Sequence, residues 1–163
     1  MEPVLKITLL SDSAYPPSRK NKYAAGYDLR SPGNYDLPPK AVSVIPLDIL
    51  AEPPPGTYVK LALRSGFSVR NLACITAGVG DPDYRGNISA VLINLGDHLI
   101  RIKRGESFAQ MVLEKYCSAQ LVVDGKNMED TSVVRGLEGL DGRGKFLHGF
   151  KYDPYTGEPI EKH

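Results

Sequence analysis

Apolar and polar residues alternate along this chain in short runs, and proline and glycine interrupt them. Alternation with a period of two is the signature of a half-buried strand, because successive side chains of a strand point to opposite faces. VLKITL (4–9), AVSVIPLDI (41–49), TYVKLAL (57–63), NISAVLINL (87–95) and SFAQMVLEKY (107–116) predict strands on this ground. The breaks between them are YPPSRKN, SPGN, DLPPKA, EPPPG, NLGD, KRGE and VDGKN, all turn-forming compositions. No long stripe with a 3.6-residue period is present. One helical turn is predicted, GFSVRN (66–71), with Ser65 as its N-cap. Many short strands at near-regular spacing predict an all-β sandwich, barrel or jelly roll.

The pattern changes near the C-terminus. VVRGLEGLDGRGKFLHGFKYDPYTGEPIEKH is rich in glycine and charge and poor in alternation. It reads as an arm leaving the core, with residues 152–163 as a tail. The organisation expected is a β-barrel domain over residues 1–131 and a glycine-rich arm over 132–163.

Composition narrows the class. A length of 163 residues with 42% hydrophobic content suits one domain with a core of its own. A net charge of +1 gives no strong field for duplex nucleic acid or an anionic membrane, so neither is expected as a partner. Cys74 and Cys117 are read as reduced, buried thiols rather than a disulfide framework. The opening MEPVLKITLL is broken by Lys6 and no later run is long enough to span a bilayer, so an intracellular soluble protein is expected.

Several segments can carry chemistry. GVGDPDYRGN (78–87) places acids in a turn between the strand-like runs CIT and NISAVLIN. Asp81 there can serve as a general base if it reaches a water, or can merely close an Asx-turn. LRSGF (63–67) brings Arg64, Ser65 and Gly66 to a strand end, where glycine permits close approach of an anion and arginine offers a forked donor. A capped turn with a solvated arginine is the plainer reading. RGLEGLDGRG (135–144) spaces glycines with arginines, as suits a loop closing over phosphates or a plain linker. AAGYDL (24–29) and GESFAQMV (105–112) contain Asp28, read alone as a turn residue, and Gln110, read alone as a polar strand residue. His98, His148 and His163 lack metal-ligand spacing and read as surface residues.

In order, these segments carry more than they do singly. AAGYDL, RSG, AGVGDPDYRG, RGESFAQMVL and RGLEGLDGRG resemble the five ordered motifs of the trimeric dUTP pyrophosphatase family, from about residue 24 to 144. The resemblance implies a jelly-roll β-barrel in a homotrimer, three active sites between subunits, and a C-terminal arm completing each. It implies hydrolysis of dUTP to dUMP and pyrophosphate with Mg²⁺. By the same resemblance Asp81 is the base that activates water, and Tyr84 packs against the deoxyribose. Gly78 lies in the hairpin that pairs with uracil, and Arg64, Ser65 and Gly66 meet phosphate. Gln110 lies near the α-phosphate, Asp28 holds the hydrated metal, and Arg135 meets the distal phosphates.

The fifth motif departs from the family pattern Arg-Gly-x-Gly-Gly-Phe-Gly-Ser-x-Gly. Leu140 stands at the aromatic position, Asp141 at a glycine, Gly142 at the serine and Glu138 at another glycine, with Arg143 following. Leu140 offers no π-face to a base, and stacking of that kind is worth roughly 1–3 kcal/mol. Arg143 can offset the charge of Asp141. The alternative function is therefore a family-derived binding or signalling protein with weakened catalysis. A deoxycytidine triphosphate deaminase would need a further acid/base residue near the base, and none is evident.

Overall fold

The computed structural model describes residues 2–123. In chain order these form β1 (Lys6–Leu9), β2 (Gly26–Arg30), β3 (Tyr35–Leu37), β4 (Val42–Pro46), β5 (Ile49–Glu52), β6 (Thr57–Leu63), α1 (Ser65–Asn71), β7 (Ala73–Ala77), β8 (Val79–Gly80), β9 (Ser89–Asn94), β10 (Ile100–Ile102) and β11 (Ser107–Lys115). Residues 1–118 make one compact unit. A second unit begins at residue 119, and its described residues, 119–123, carry no regular secondary structure. The expected domain boundary at 131 lies outside the described residues, as do Arg135, Leu140 and Arg143.

The strands pair antiparallel into sheets ordered β2-β11-β6-β8, β4-β9-β7, β1-β5 and β10-β3. The alternation seen in the sequence sets which face is buried. In β6 Val59 and Leu61 point inward and Lys60 outward; in β9 Ala90, Leu92 and Asn94 point inward. Leu29, Leu61 and Met111 from the four-stranded sheet join Ala73, Ala90 and Leu92 from the three-stranded sheet in one core. Phe67 of α1 meets Phe108 of β11 edge to face at 5.9 Å. An irregularity between Ser107 and Ala109 lets Phe108 and Ala109 both turn inward. Asn94 is fully buried yet satisfied: its amide donates to Leu37 O at 3.0 Å and His98 O at 2.8 Å, and its carbonyl accepts from Gly96 N at 2.9 Å.

The expected all-β architecture is present, with differences in detail. The run 41–49 is two strands, not one. Asp48 adopts φ 55° and breaks it, and Pro46 has no N–H with which to continue the pairing. Asp28 is a strand residue of β2, paired with Gln110 on one side and bridged to Ser18 on the other. The helix is capped by Arg64, not Ser65. Arg64 keeps an extended conformation (φ −68°, ψ 135°) because its N–H continues the β6–β11 pairing by donating to Phe108 O at 3.0 Å. Ser65 is then the first helical residue. Cys74 and Cys117 are free, as expected, but exposed rather than buried; Cys74 lies on the outer face of β7, opposite Ile93. His98 is exposed, as expected.

Candidate active site

The four-stranded sheet brings the first, second and fourth of the ordered segments together. Cross-strand partners share a face, and Gln110 of β11 stands opposite Asp28 of β2 on one side and Ala62 of β6 on the other. All three lie on the outer face, since their neighbours Leu29 and Ala109 are buried. The Gln110 amide donates to Leu63 O at 3.4 Å. Gly26 has no side chain where the Gln110 side chain lies, and a Cβ there would collide with Gln110 Oε1.

Arg64, at the end of β6, sits 3.4 Å from Asp28 Oδ1 through Nε and donates from Nη1 to Ser107 O at 3.4 Å. Both side chains of this ion pair are partly exposed, so it contributes little to stability, about 0–1 kcal/mol. Arg64, Ser65, Gly66, Arg70 and Ser107 line a polar cavity of about 150 Å³. Arg70 was not singled out in the sequence. Its guanidinium folds back over Gly66, lying 3.1 Å from the point a Cβ would occupy. The signal was its spacing of four residues after Gly66 within the predicted turn, which places both on one face of a helix. The Ser107 hydroxyl is buried and has no hydrogen-bond partner among the described residues.

The third segment forms a separate cavity of about 280 Å³ where the chain crosses from β8 in one sheet to β9 in the other. Gly78, Asp81, Tyr84 and Asn87 line it. Asp81 begins a β-turn in which Tyr84 N–H donates to Asp81 O at 3.0 Å, with Pro82 at the second position, where its fixed φ fits. This is a backbone turn rather than an Asx-turn, and Asp81 is exposed. The Tyr84 hydroxyl donates to Asn87 O at 3.2 Å, and the ring lies against Gly86, where any Cβ would collide with it. Gly78 accepts from Leu61 N at 2.8 Å. A groove of about 530 Å³, lined by Ser65, Gln110 and Gly78 among others, runs between the two cavities.

A Cβ on Gly78 would stand 2.7 Å from Leu61 O, a backbone atom that cannot swing aside. Gly78→Ala should therefore lower stability by about 1–3 kcal/mol, as overpacking does, seen as a fall in Tm.

Three ionisable groups among the described residues are shifted. Glu114 is held below the usual carboxylate range, first by the hydrogen bond from the Tyr58 hydroxyl (2.6 Å) and then by the charge of Lys60. The same bond raises the Tyr58 phenol. Tyr35 is raised by burial and by the charge of Asp48. Among the described residues no group of three or more His, Cys, Asp or Glu side chains could hold a metal, and no helix is long and apolar enough to cross a membrane.

The model of the dUTPase family matches residues 12–139 of this sequence. The chain belongs to the dUTPase family. The deoxyuridine 5′-triphosphate nucleotidohydrolase of fowl adenovirus A serotype 1 is 41% identical over 120 residues, covering 74% of this chain and 67% of the relative. The dUTPase of Staphylococcus bacteriophage 80alpha, solved with dUPNHPP, is 28% identical with a TM-score of 0.70 over 77% of this chain and 90% of its own. A mutant dUTPase from phage phi11 of S. aureus, whose structure describes coordination of a structural Mg(II) ion, is 25% identical with a TM-score of 0.71 over 77% and 99%. The β-barrel implied by the ordered motifs is thus the family's fold. Within it this dUTPase-family chain brings Asp28, Arg64 and Gln110 into one cluster and Gly78, Asp81 and Tyr84 into another.

Proposed function

We propose that these two clusters are the working halves of the active site with which this dUTPase hydrolyses dUTP to dUMP and pyrophosphate. The observation that carries this reading is the sorting of residues. The residues suited to a nucleoside line one cavity, and those suited to phosphate line a separate one.

In this reading Asp81 takes a proton from a water, whose oxygen bonds to the α-phosphorus while the bond to the bridging oxygen breaks and pyrophosphate leaves. One base suffices, because phosphoryl substitution depends on positioning and charge neutralisation. Arg64, Ser65 and Gly66 receive phosphate oxygens, and Gln110 stands near the α-phosphate. The weak Arg64–Asp28 pair can yield Arg64 to a triphosphate. The freed Asp28 suits a water of a hydrated Mg²⁺, an ion held mainly by phosphates and water, so that one carboxylate is enough. When bound, Mg²⁺ supplies charge neutralisation on the triphosphate. Gly78 and its hairpin face uracil, and Tyr84 packs against the deoxyribose.

A homotrimer with sites between subunits belongs to the same proposal. The outer face of β4 exposes Val42 (57%) and Val44 (58%), and Val79 beside the site is 71% exposed. Apolar strand faces of this kind are what a second copy covers. Residues 132–163 act as an arm on the barrel of 1–131: Arg135 and Arg143 meet phosphates and Leu140 covers the base by apolar contact alone. The compartment is intracellular, where deoxynucleoside triphosphates are made.

Substrate choice tests the nucleoside cavity. UTP should be turned over far less efficiently than dUTP, because its 2′-hydroxyl meets the Tyr84 ring, and dTTP should be poor because its methyl group meets the hairpin. The check is kcat/KM for all three. Equal values for UTP and dUTP would leave Tyr84 as a turn aromatic.

A further inference from the structure

We propose that Asp48, outside all five motifs, is a positioning residue for Tyr84 that acts through Asn87 and so sets the preference for deoxyribose. The proposal rests on the reading of Tyr84 above.

Asp48 lies between β4 and β5 in the left-handed region, φ 55°. Few residues other than glycine adopt that region, and Asp and Asn tolerate it best. The residues on either side of it both bond to Ile88: Leu47 N–H donates to Ile88 O at 2.9 Å, and Ile88 N–H donates to Ile49 O at 2.8 Å. Asp48 is thereby bulged out of the pairing, with its side chain beside Asn87. Its two carboxylate oxygens are divided. Oδ1 accepts from Asn87 Nδ2 at 2.9 Å, and Oδ2 accepts from the Ser11 hydroxyl at 2.8 Å. Its own carbonyl accepts from Leu10 N at 2.8 Å. A carboxylate bound on both oxygens has a fixed plane.

That plane fixes Asn87. The Asn87 side-chain carbonyl is buried and has no partner among the described residues, so Asp48 is the only hydrogen-bond partner its amide group has there. The backbone carbonyl of the same residue receives the Tyr84 hydroxyl at 3.2 Å. The hydroxyl end of the ring is thus held by Asn87 and packed against Gly86. Nearly half of the tyrosine is exposed, 46% in the single chain, and it has little packing to hold its tilt otherwise. Displacement of a positioning group by about 1 Å can cost up to about 10²-fold in rate. Loss of Asp48 should act in this way on the contact that excludes a 2′-hydroxyl.

The experiment measures kcat/KM for dUTP and UTP, with Tm, in the full chain. Asp48→Gly accepts the left-handed backbone but removes the carboxylate. It should reduce the preference for dUTP over UTP by about 10- to 10²-fold. Asp48→Asn also suits this backbone, can still accept from Asn87, and should keep most of the preference. Tyr84→Phe, which cuts the link at the hydroxyl, should lose part of it, and the double variant Asp48→Gly/Tyr84→Phe should be no worse than Asp48→Gly alone. Non-additivity of that kind marks two residues acting on one contact. A folded Asp48→Gly with unchanged preference, or additive losses in the double variant, overturns the proposal, since a purely structural bulge would change Tm alone. Should Asp48→Gly not fold, Asn87→Ala takes its place: it keeps the backbone carbonyl and the Ser11–Asp48 bond, and unchanged preference there overturns the proposal equally. A wild-type protein that accepts UTP as well as dUTP would overturn the reading of Tyr84, and the relay with it. Selectivity lost in Tyr84→Ala but kept in Asp48→Gly would overturn the relay alone.

Discussion

Asp81→Asn should lower kcat by about 10²–10⁴-fold while leaving nucleotide affinity close to that of the unaltered protein. The substitution is nearly isosteric and removes the basic oxygen without removing the polar group. The turn that presents the residue does not depend on its side chain, because the Tyr84 N–H donates to the Asp81 backbone carbonyl. Pro82 pre-sets the backbone at the next position whatever precedes it. The hairpin, the Tyr84 ring and the cavity they line should therefore persist in the variant. Pyrophosphate release under saturating dUTP gives kcat, and equilibrium binding of dUMP and dUTP gives affinity. A fall in binding as large as the fall in kcat would point to a collapsed turn. Undiminished turnover would remove Asp81 from the chemistry and return the candidate base to another residue of the cavity.

The parts of the fold legible in the sequence were those in which local pattern and tertiary burial agree. β6 coincides with the run 57–63, and β9 and β11 lie within theirs, because in each the alternation continues for six residues or more. β3 and β10, three residues each, are too short to display a period. β2 has glycine, tyrosine and aspartate where a strand signal needs alternating apolar residues, and its existence depends on β11 beside it. The break at Asp48 was hidden for a different reason. A run rich in Val, Ile and Leu reads as continuous, and the left-handed turn within it is stabilised by Ile88 and Asn87, about forty residues further along the chain. The site divides along the same line. Asp81 and Tyr84 share one turn, and Arg64, Ser65 and Gly66 are contiguous, so ordered motifs capture them. Asp48 and Asn87 meet only through the fold. The exposure of the cysteines likewise follows from the face of β7 that Cys74 occupies and from the place of Cys117 beyond the end of β11, and composition does not encode that.

Mixing two inactive forms of the chain should restore activity if sites are built between subunits. The first form carries Asp81→Asn, which removes the base from the hairpin and spares the phosphate cluster. The second carries Arg64→Ala, which removes the forked donor from the cluster around Asp28 and Gln110 and spares the hairpin. Arg64 is a suitable lesion because its only ion pair among the described residues is weak and partly exposed, so the barrel loses little by its removal. Each form alone should be nearly inactive. In a trimer with cyclic symmetry, each site would take its hairpin from one subunit and its phosphate cluster from the next. After unfolding and refolding of an equal mixture, a site has an even chance of an intact hairpin and, independently, an even chance of an intact cluster. About one quarter of the sites should then be whole, and activity should recover to about one quarter of the unaltered level. Chains that each hold a complete site would give no recovery under the same treatment, since every chain carries one lesion. Mixing without unfolding provides the internal control, because trimers that do not exchange subunits stay inactive. Light scattering on the refolded mixture checks that the recovered species has the mass of three chains. Recovery without that mass would reject the trimer, and that mass without recovery would reject the shared site.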